Sequence, residues 1–411
     1  MKIVLFEDDA VLNFFPLAVL KPITELVLGI STLREKAEKH FASPALLIRK
    51  QLRPYWREVL GDRILTSPLD TDELIFVNAR CIVDHKFAFG LFALFDSGEM
   101  AMNTALFNGA QPVCFRVNPK TFFGNEFPDT VSASSLSFGM KIRQTDAQLI
   151  SFPWELIRLH PQTFIREAAI YPAMGNVLGR VHPSAVLVNP SCIFIGEGAD
   201  IKAGVVLDAE DGFIIVEKDA VVMPNSVLMN NVFIGKKSTV KIAAKIYDHV
   251  YIGERCKAGG EIEDSIMESY SNKQHEGFLG HSYISHWCNL GADTNTSDLK
   301  NNYSTVRMTF GKKEIDTKMQ FLGLLMGEHS KSSINTMFNT GTIVGISSNI
   351  FGNGFPPKKV GSFQWGGAEG FTLYQIEKAL ETARAVMKRR GIEMTESYEK
   401  LIRVTYATLS E

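Results

Sequence analysis

Residues 1–172 alternate short apolar runs with amphipathic segments. The run KIVLF (2–6) is continuously apolar, as expected of a strand buried on both faces. The following segment STLREKAEKHF has a helix start signal, because Thr32 stands three residues before Glu35 and fits a capping box. Further strands are predicted at PALLIRK, ELIFVNA and QPVCFRVN. This alternation predicts an α/β domain with a mostly parallel sheet.

The hydrophobic pattern changes after Val181. The helical period ends there, and an aliphatic residue recurs every six positions instead. Such hexads predict a parallel β-helix over residues 173–367, in which each hexad forms one side of a triangular coil and its aliphatic residue points inward. A β-sandwich is the alternative, but sandwich strands alternate with period two. The Ile-Gly step repeats at residues 195–196, 234–235 and 252–253. We expect Gly or Asn at the corners of the coil, where φ can be positive. The hexad residues are Ile195, Ile201, Leu207, Val216, Val222, Leu228, Ile234, Val240, Ile246 and Ile252.

Residues 368–411 return to a helical pattern. The segment FTLYQIEKALETARAVMKRRG carries one apolar stripe, and Thr372 with Gln375 fits a capping box. Gly391 is suited to end this helix. A second helix is predicted from Thr395 to Leu409.

Composition narrows the class of protein. The chain has 411 residues, 45% apolar and 21% charged, and a formal charge of -2, so nothing indicates nucleic acid or an anionic membrane as partner. The N-terminus turns acidic after five apolar residues, unlike a signal peptide, and no run approaches the roughly 20 apolar residues of a membrane span. Five cysteines without a CxxC pair indicate a reducing, cytoplasmic compartment.

The stretch from Ser271 to Asn302 is far more polar than the hexads around it. We interpret it as a loop that interrupts the β-helix and closes a cleft. His275 is the candidate general base, because acyl transfer needs a group that deprotonates an attacking nitrogen and a backbone N–H that holds the oxyanion. Small residues at Gly291 and Ala292 would let a ligand approach that backbone. A solvated surface histidine remains an alternative.

Metal binding by the histidines of this stretch is disfavoured. His275, His281 and His286 have no carboxylate or thiol at a fixed ligand spacing in the sequence. The sequence does not identify the ligands of a metal ion.

The segment SNKQHEGFLGHSYISHWCNLGADT resembles the acyltransferase motif of the bifunctional bacterial N-acetylglucosamine-1-phosphate uridyltransferase/glucosamine-1-phosphate acetyltransferase family. The resemblance implies a left-handed hexapeptide β-helix with His275 as general base. It places Asn289 on the sugar, the Ala292 N–H on the thioester, and Phe278 where the family has a tyrosine. Lys241 falls where an arginine of the family grips the sugar phosphate, which keeps the charge but loses the bidentate geometry.

Two departures from the family pattern follow the motif. The chain reads SDLKNN where the family has NYDG, and GGEIEDS replaces the lysines expected before the loop. Lys273 is therefore the candidate to replace them at the substrate phosphate.

The N-terminal segment LFEDDAVLNFFPLAVLKPITEL resembles the opening of a nucleotidyltransferase, but without its Gly-rich loop. Glu7, Asp8 and Asp9 stand where glycines would cradle phosphates, so Asp8 and Asp9 would need Mg²⁺ to approach a nucleotide. The signature lysine position holds Ile23, with Lys21 nearby.

The segment GISTLREKAEKH fits a divergent sugar nucleotidyltransferase-like branch. This resemblance makes Arg34 and Lys36 candidates for phosphate contacts, together with Arg49 and Lys50. The alternative is that Arg34 and Lys36 form the solvated face of a helix. Asn78 follows a strand at the position where open α/β sheets bind ligands.

Together, these resemblances imply a bifunctional transferase. Its first domain would use Mg²⁺ and UTP or dTTP to transfer a nucleotidyl group to a sugar 1-phosphate, and its β-helix would use acetyl-CoA as acyl donor. Its partners would be these small molecules and two further copies of the chain in a homotrimer. The alternatives are a protein with one degenerate domain and a non-catalytic sugar-nucleotide-binding protein.

Overall fold

The computed structural model describes residues 2–68, 73–310 and 313–409. Its contacts divide the chain into two compact units. The first contains Met1–Leu26, Ser31–Pro153 and Glu396–Val404, and the second contains Val27–Ile30, Trp154–Thr395 and Thr405–Glu411. The predicted division at residues 172 and 367 stays a prediction.

The first unit is built on a six-stranded mixed sheet rather than the mostly parallel sheet expected. Ile3–Phe6 is a central strand that pairs in parallel with Ala45–Leu47 and with Leu74–Asn78. Gln111–Val117 then runs antiparallel to Leu74–Asn78 and to Thr104–Asn108. The strands of this unit are Ile3–Phe6, Ser31–Thr32, Ala45–Leu47, Leu74–Asn78, Thr104–Asn108, Gln111–Val117 and Lys141–Gln144.

Short helices connect these strands. The predicted capping box is confirmed: the Glu35 N–H donates to the Thr32 hydroxyl while the Glu35 side chain accepts from the Thr32 N–H. The α-helices of the unit are Leu33–Glu38, Arg53–Leu60, His85–Asp96, Pro119–Phe123 and Ala133–Ser137. The 3₁₀ turns are Asp9–Phe14, Ile23–Glu25, Lys50–Leu52 and Gly61–Arg63.

The second unit is a parallel β-solenoid, as the hexads predict. Its strands stack into three parallel ladders, the longest of nine strands. Every hexad residue named above lies in a strand and is buried in one continuous apolar core. The strands are Val27–Leu28, Arg180–Val181, Val186–Val188, Ile193–Ile195, Asp200–Ile201, Val206–Asp208, Ile214–Val216, Val221–Val222, Val227–Met229, Val232–Ile234, Thr239–Val240, Lys245–Tyr247, Val250–Ile252, Lys257–Ala258, Glu261–Glu263, Ile266–Met267, Asn272–Lys273, Phe278–Gly280, Tyr283–Ile284, Asn295–Thr296, Arg307–Phe310, Lys313–Asp316, Leu324–Met326, Lys331–Ser332, Met337–Phe338, Thr342–Val344, Asn349–Ile350, Lys359–Val360, Gln364–Gly367 and Gly370–Leu373.

The expected positive φ is confirmed at solenoid positions such as Asn225 (58°) and Gly204 (70°), but the Ile-Gly steps need glycine for another reason. Gly196, Gly235 and Gly253 do not have positive φ. A Cβ on Gly253 would lie 2.5 Å from the Ser269 backbone nitrogen in the next coil. Glycine is therefore required at these steps because adjacent coils approach too closely for a side chain.

Three helices complete the description: Trp154–Ala168, Ile376–Arg389 and Glu396–Leu409, with a 3₁₀ turn at Pro190–Cys192. The predicted second C-terminal helix is confirmed, and Gly391 ends the preceding one with φ of 72°. The predicted capping box at Thr372 is wrong, because Thr372 lies in the strand Gly370–Leu373 and the helix begins only at Ile376. No helix among the described residues is long and apolar enough to cross a membrane.

Candidate functional site

The polar stretch that begins at Ser271 is part of the solenoid wall and does not project from it. Its strands Asn272–Lys273, Phe278–Gly280 and Tyr283–Ile284 each pair in parallel with a strand of the preceding coil. The interpretation of this stretch as a projecting loop is therefore wrong for residues 271–296. The excursion comes later, before Leu324–Met326 rejoins the stack, and carries the antiparallel hairpin of Arg307–Phe310 and Lys313–Asp316.

His275 lies on an outer corner of the solenoid between two very small residues. The pairing of Asn272 with Asn289 is a shift of 17 residues, and the same shift places Ala292 directly above His275. The pairing of Ala258 with Lys273 likewise places Gly260 directly below. Adjacent coils are spaced by about 4.8 Å. The imidazole is exposed and has no hydrogen-bond partner among the described residues.

The backbone carbonyl of Ala292 is hydrogen-bonded, whereas its backbone N–H has no partner among the described residues. Its carbonyl accepts a hydrogen bond from the Asn335 N–H at 2.8 Å. Its own N–H has no acceptor within the described part of the chain. The structure thus brings together an exposed imidazole and, one coil away, an open backbone N–H, which are the two groups that acyl transfer requires.

Lys273 supports this corner from inside the solenoid. Its side chain occupies an inward position that Val240, Ala258 and Leu290 fill in neighbouring coils. The ammonium donates to the carbonyls of Gly259 at 3.0 Å and His275 at 2.8 Å. Burial lowers the pKa of Lys273 to about 8. Its predicted contact with a substrate phosphate stays a prediction. In the structure, its ammonium is hydrogen-bonded to the His275 backbone carbonyl.

The remaining residues predicted on the solenoid lie on coils close to His275. Asn289 is on the next coil, where its side-chain oxygen accepts from the Asn272 amide at 3.4 Å. Phe278 is half-buried and its N–H donates to the Asn295 side chain. Lys241 is half-buried and lies two coils away. None of these contacts tests the proposed roles.

The other two histidines of the stretch are held by carboxylates that come from distant positions in the sequence. His281 Nδ1 lies 2.8 Å from Asp298 and its Nε2 lies 3.5 Å from Asp264. Burial alone would lower the pKa of His281, but the two carboxylates outweigh it and raise the pKa. His286 lies 3.5 Å from the buried Glu268. In the described residues no group of three or more His, Cys, Asp or Glu could hold a metal ion.

In the first unit, the carboxyl ends of three parallel strands meet at one sheet edge, which is where α/β sheets bind ligands. Two predicted residues at this edge are joined to each other. The buried Asp8 carboxylate accepts from Arg80 at 2.8 and 2.6 Å and from the Asn78 amide at 3.0 Å. Sequence reasoning places Arg80 at this edge with Asn78 but misses its pairing with Asp8, since nothing in the local sequence indicates a partner 72 residues away.

The cations predicted near this edge also have partners within the unit. Arg49 forms a buried ion pair with Glu7 at 3.0 Å. Arg34 contacts Glu25 at 2.7 Å and Glu38 at 2.9 Å; burial alone would lower the pKa of Arg34, but these carboxylates raise it. The predicted phosphate contact of Arg34 stays a prediction.

Lys21 and Lys36 do not reach solvent either. Lys21 is buried, and Lys36 is buried with its ammonium 2.9 Å from the Ser31 hydroxyl. Their predicted contacts with phosphate, like that of Arg34, are untested by this geometry.

A cavity of about 650 Å³ opens beside this edge. The Asp8 backbone forms a bridge with Val131, which is next to the lining residues Thr130 and Ser132. The exposed Asp9 accepts a hydrogen bond from Thr130. The cavity is lined by Lys50, Thr121, Phe122, Phe123, Glu126, Phe127, Pro128, Thr130, Ser132, Ser135 and Phe138. Its volume lies in the range of small-molecule sites. Its lining combines hydroxyls and aromatic rings with Lys50, whose ammonium lies 3.7 Å from the Glu126 carboxylate of the same lining.

The carboxylates that could hold Mg²⁺ at this edge are the exposed Asp9 and, in the cavity lining, the exposed Glu126. Glu7 and Asp8 are already paired with Arg49 and Arg80. Mg²⁺ is commonly held by one or two carboxylates together with substrate phosphates and water.

Residues 3–172 match the family model described as sugar nucleotidyl transferase. The chain is also similar to curated relatives over part of its length. It is 31% identical over 134 residues to a bifunctional GlmU protein of Methanococcus maripaludis, covering 33% of this chain and 27% of the relative. It is 26% identical over 152 residues to a bifunctional sugar-1-phosphate nucleotidylyltransferase/acetyltransferase of Sulfurisphaera tokodaii, covering 36% and 38%. The chain therefore spans well under half the length of these relatives.

Among solved structures, the chain is similar to LpxA, a UDP-N-acetylglucosamine acyltransferase from Bacteroides fragilis. The identity is 13%, the alignment covers 56% of this chain and 95% of that one, and the TM-score is 0.24. At that score the likeness carries no argument, and the solenoid assignment depends on the strand pairing described above.

Proposed function

We propose that this chain is a bifunctional transferase. Its first unit transfers a nucleotidyl group from UTP or dTTP to a sugar 1-phosphate, and its solenoid transfers an acyl group from acetyl-CoA to an amino sugar phosphate. The observation that carries the second activity is the exposed His275 imidazole between Gly260 and Ala292. The match of residues 3–172 supports the first.

In the acyl transfer, His275 takes a proton from the attacking amine of the sugar. The Ala292 N–H stabilises the oxyanion that forms as the amine adds to the thioester carbonyl. This intermediate collapses with cleavage of the C–S bond, and coenzyme A leaves as a thiol after it takes up the proton that His275 accepted. Lys273 is a positioning residue, because it holds the backbone carbonyl of His275. Asn289, Phe278 and Lys241 contact the sugar phosphate.

A homotrimer is part of this proposal. One corner of a solenoid is too flat to enclose a substrate, so a neighbouring copy closes the cleft at His275. Ile242 and Ile334 lie in the same column as His275 and are 56% and 66% exposed, which supports an apolar contact there. A monomer by mass in solution contradicts this part of the proposal.

The acyl transfer is tested with His275→Ala, and His182→Ala on an early coil is the matched control. The His182 side chain is also exposed, and within the described residues its only hydrogen bonds are to Ser184, in its own turn. We expect His275→Ala to lower turnover with acetyl-CoA and glucosamine 1-phosphate by roughly 10²–10⁴-fold. Unchanged turnover removes His275 from the mechanism.

The nucleotidyl transfer is tested by pyrophosphate release from UTP or dTTP with a sugar 1-phosphate and Mg²⁺. We expect Lys50→Met to lower turnover, while Lys86→Met on the exposed start of the helix His85–Asp96 leaves it unchanged. A degenerate first unit is the second candidate, favoured by the pairing of Glu7 and Asp8 with Arg49 and Arg80. Binding of a nucleotide sugar without turnover on any pair of substrates supports that alternative.

A further inference from the structure

A second cavity, of about 240 Å³, lies between the solenoid wall and the end of the helix Ile376–Arg389. Apart from Trp287 and Cys288, the polar side chains of its lining are cationic or amide groups, and none of its described lining residues carries a carboxylate. The six that matter here are Lys257, Lys331, Arg389, Arg390, Asn272 and Asn289.

The four cations of this cavity have no counter-charge. None of them forms an ion pair with a carboxylate within the described residues, unlike Arg403 on the next helix, which pairs with Glu399. Burial and the nearby Arg390 lower the pKa of Lys257. Burial lowers the pKa of Lys331 to about 8. The cavity therefore holds an uncompensated positive field.

The polar groups are arranged as a ladder along the solenoid wall. Lys257 pairs with Asn272, Asn272 with Asn289, and Asn289 with Lys331, so one outward column carries a lysine at each end and two amides between them. Arg390 donates to the Asn272 side-chain oxygen at 2.5 Å, which fixes the guanidinium beside the column. The Lys331 ammonium is held on the His329 carbonyl at 2.8 Å.

We propose that this cavity binds a phosphate group, as a phosphate monoester or a diphosphate. Two guanidinium groups and two ammonium groups match the charge and the several oxygens of phosphate better than a carboxylate, and guanidinium forks bind phosphate bidentately. The cavity is smaller than the roughly 300–1,000 Å³ of drug-sized ligand sites, and so it accepts a head group and not a whole nucleotide. Arg389 and Arg390 at the helix end line one side of the cavity, and Lys257 and Lys331 on the solenoid wall line the other.

This site shares Asn289 with the proposed acyl transfer, but its four cations are not used there. Lys257, Lys331, Arg389 and Arg390 have no part in the chemistry assigned to His275, so binding is measured without turnover. If the protein binds phosphate here but shows no acyl transfer, only the proposed function fails. If it transfers acyl groups but binds no phosphate here, only this inference fails.

The test is calorimetry of the full-length protein with pyrophosphate at constant ionic strength. We expect binding by the wild type, and at least about tenfold weaker binding by Arg389→Ala/Arg390→Ala, as for the loss of two charge-assisted contacts. Lys388→Ala is the matched control, because it removes one charge from the same helix end at an exposed residue outside the cavity. Lys257→Gln removes a charge from the wall without disturbing the helix, and we expect it also to weaken binding.

Three results overturn the proposal: no binding of pyrophosphate by the wild type, an equal loss in Lys388→Ala, or citrate bound as tightly as pyrophosphate. The source of the phosphate is identified in parallel titrations. Tighter binding of CoA than of dephospho-CoA assigns the site to the 3′-phosphate of the acyl donor. Tighter binding of glucosamine 1-phosphate than of either assigns it to the acceptor, and inorganic phosphate alone assigns it to a free anion.

Discussion

The Asp8–Arg80 pair gives a quantitative test of how the first unit is held together. Arg80 is fully buried, and it also donates to the Ile150 carbonyl at 2.7 Å and to the Gln111 side chain at 3.0 Å. Asp8→Asn preserves the shape and removes the charge, which leaves a buried guanidinium without its counter-ion. Breaking a buried ion pair in this way costs about 3–5 kcal/mol.

The appropriate assay is native-state hydrogen exchange followed by mass spectrometry, because a protein of two units does not unfold in one step. We expect the opening free energy of peptides covering Leu74–Asn78 to fall by about 3–5 kcal/mol in Asp8→Asn. Peptides covering the solenoid strand Val232–Ile234 serve as an internal control and should not change.

An exposed pair provides the matched control. Arg57 and Asp62 lie 3.1 Å apart with side chains 54% and 96% exposed, so Asp62→Asn should change stability by less than about 1 kcal/mol. A loss below about 1 kcal/mol in Asp8→Asn as well would refute the reasoning, since Asp8 and Arg80 would then not depend on each other.

Two further predictions concern the solenoid. Because carboxylates raise the pKa of His281 in the folded state, its stabilising contribution is complete below the unfolded pKa of about 6.5 and is lost as pH rises through the folded pKa. The urea midpoint of the solenoid transition should therefore decline over that range in the wild type and not in His281→Gln; equal slopes would contradict the assignment. Gly253→Ala should lower stability by roughly 1–3 kcal/mol, because the new methyl group meets the Ser269 backbone. Thermal melts should show no such loss for Gly361→Ala, where the nearest atom is 3.6 Å away, and an equal loss there would exclude the steric explanation.

The sequence was most informative where structure repeats locally. A six-residue period is visible from Ile195 to Ile252, and each of these residues is buried as predicted, because a solenoid coil is specified by its own hexads and those next to it. The reason for the Ile-Gly steps could not be read in the same way. It depends on the distance between coils, which the period does not reveal.

Contacts between residues far apart in the chain could not be predicted from the sequence. Glu7 and Arg49 are 42 residues apart, and Asp8 and Arg80 are 72 residues apart. Because the sequence does not show these pairings, it presents all four charges as available to bind ligands. In the structure, each carboxylate is neutralised by its arginine. His275 was singled out by its motif. Its small neighbours above and below follow only from the register of the coils.

The excursion between Thr296 and Leu324 leaves the stack undisturbed, because Tyr283–Ile284 pairs directly with Leu325–Met326 on the far side of it. The base of the excursion contacts the stack, as Asp298 does at His281, but the pairing of these two coils does not depend on the hairpin. Evolution can therefore vary the hairpin of Arg307–Phe310 and Lys313–Asp316 while the hydrogen bonding between the coils on either side of it stays the same.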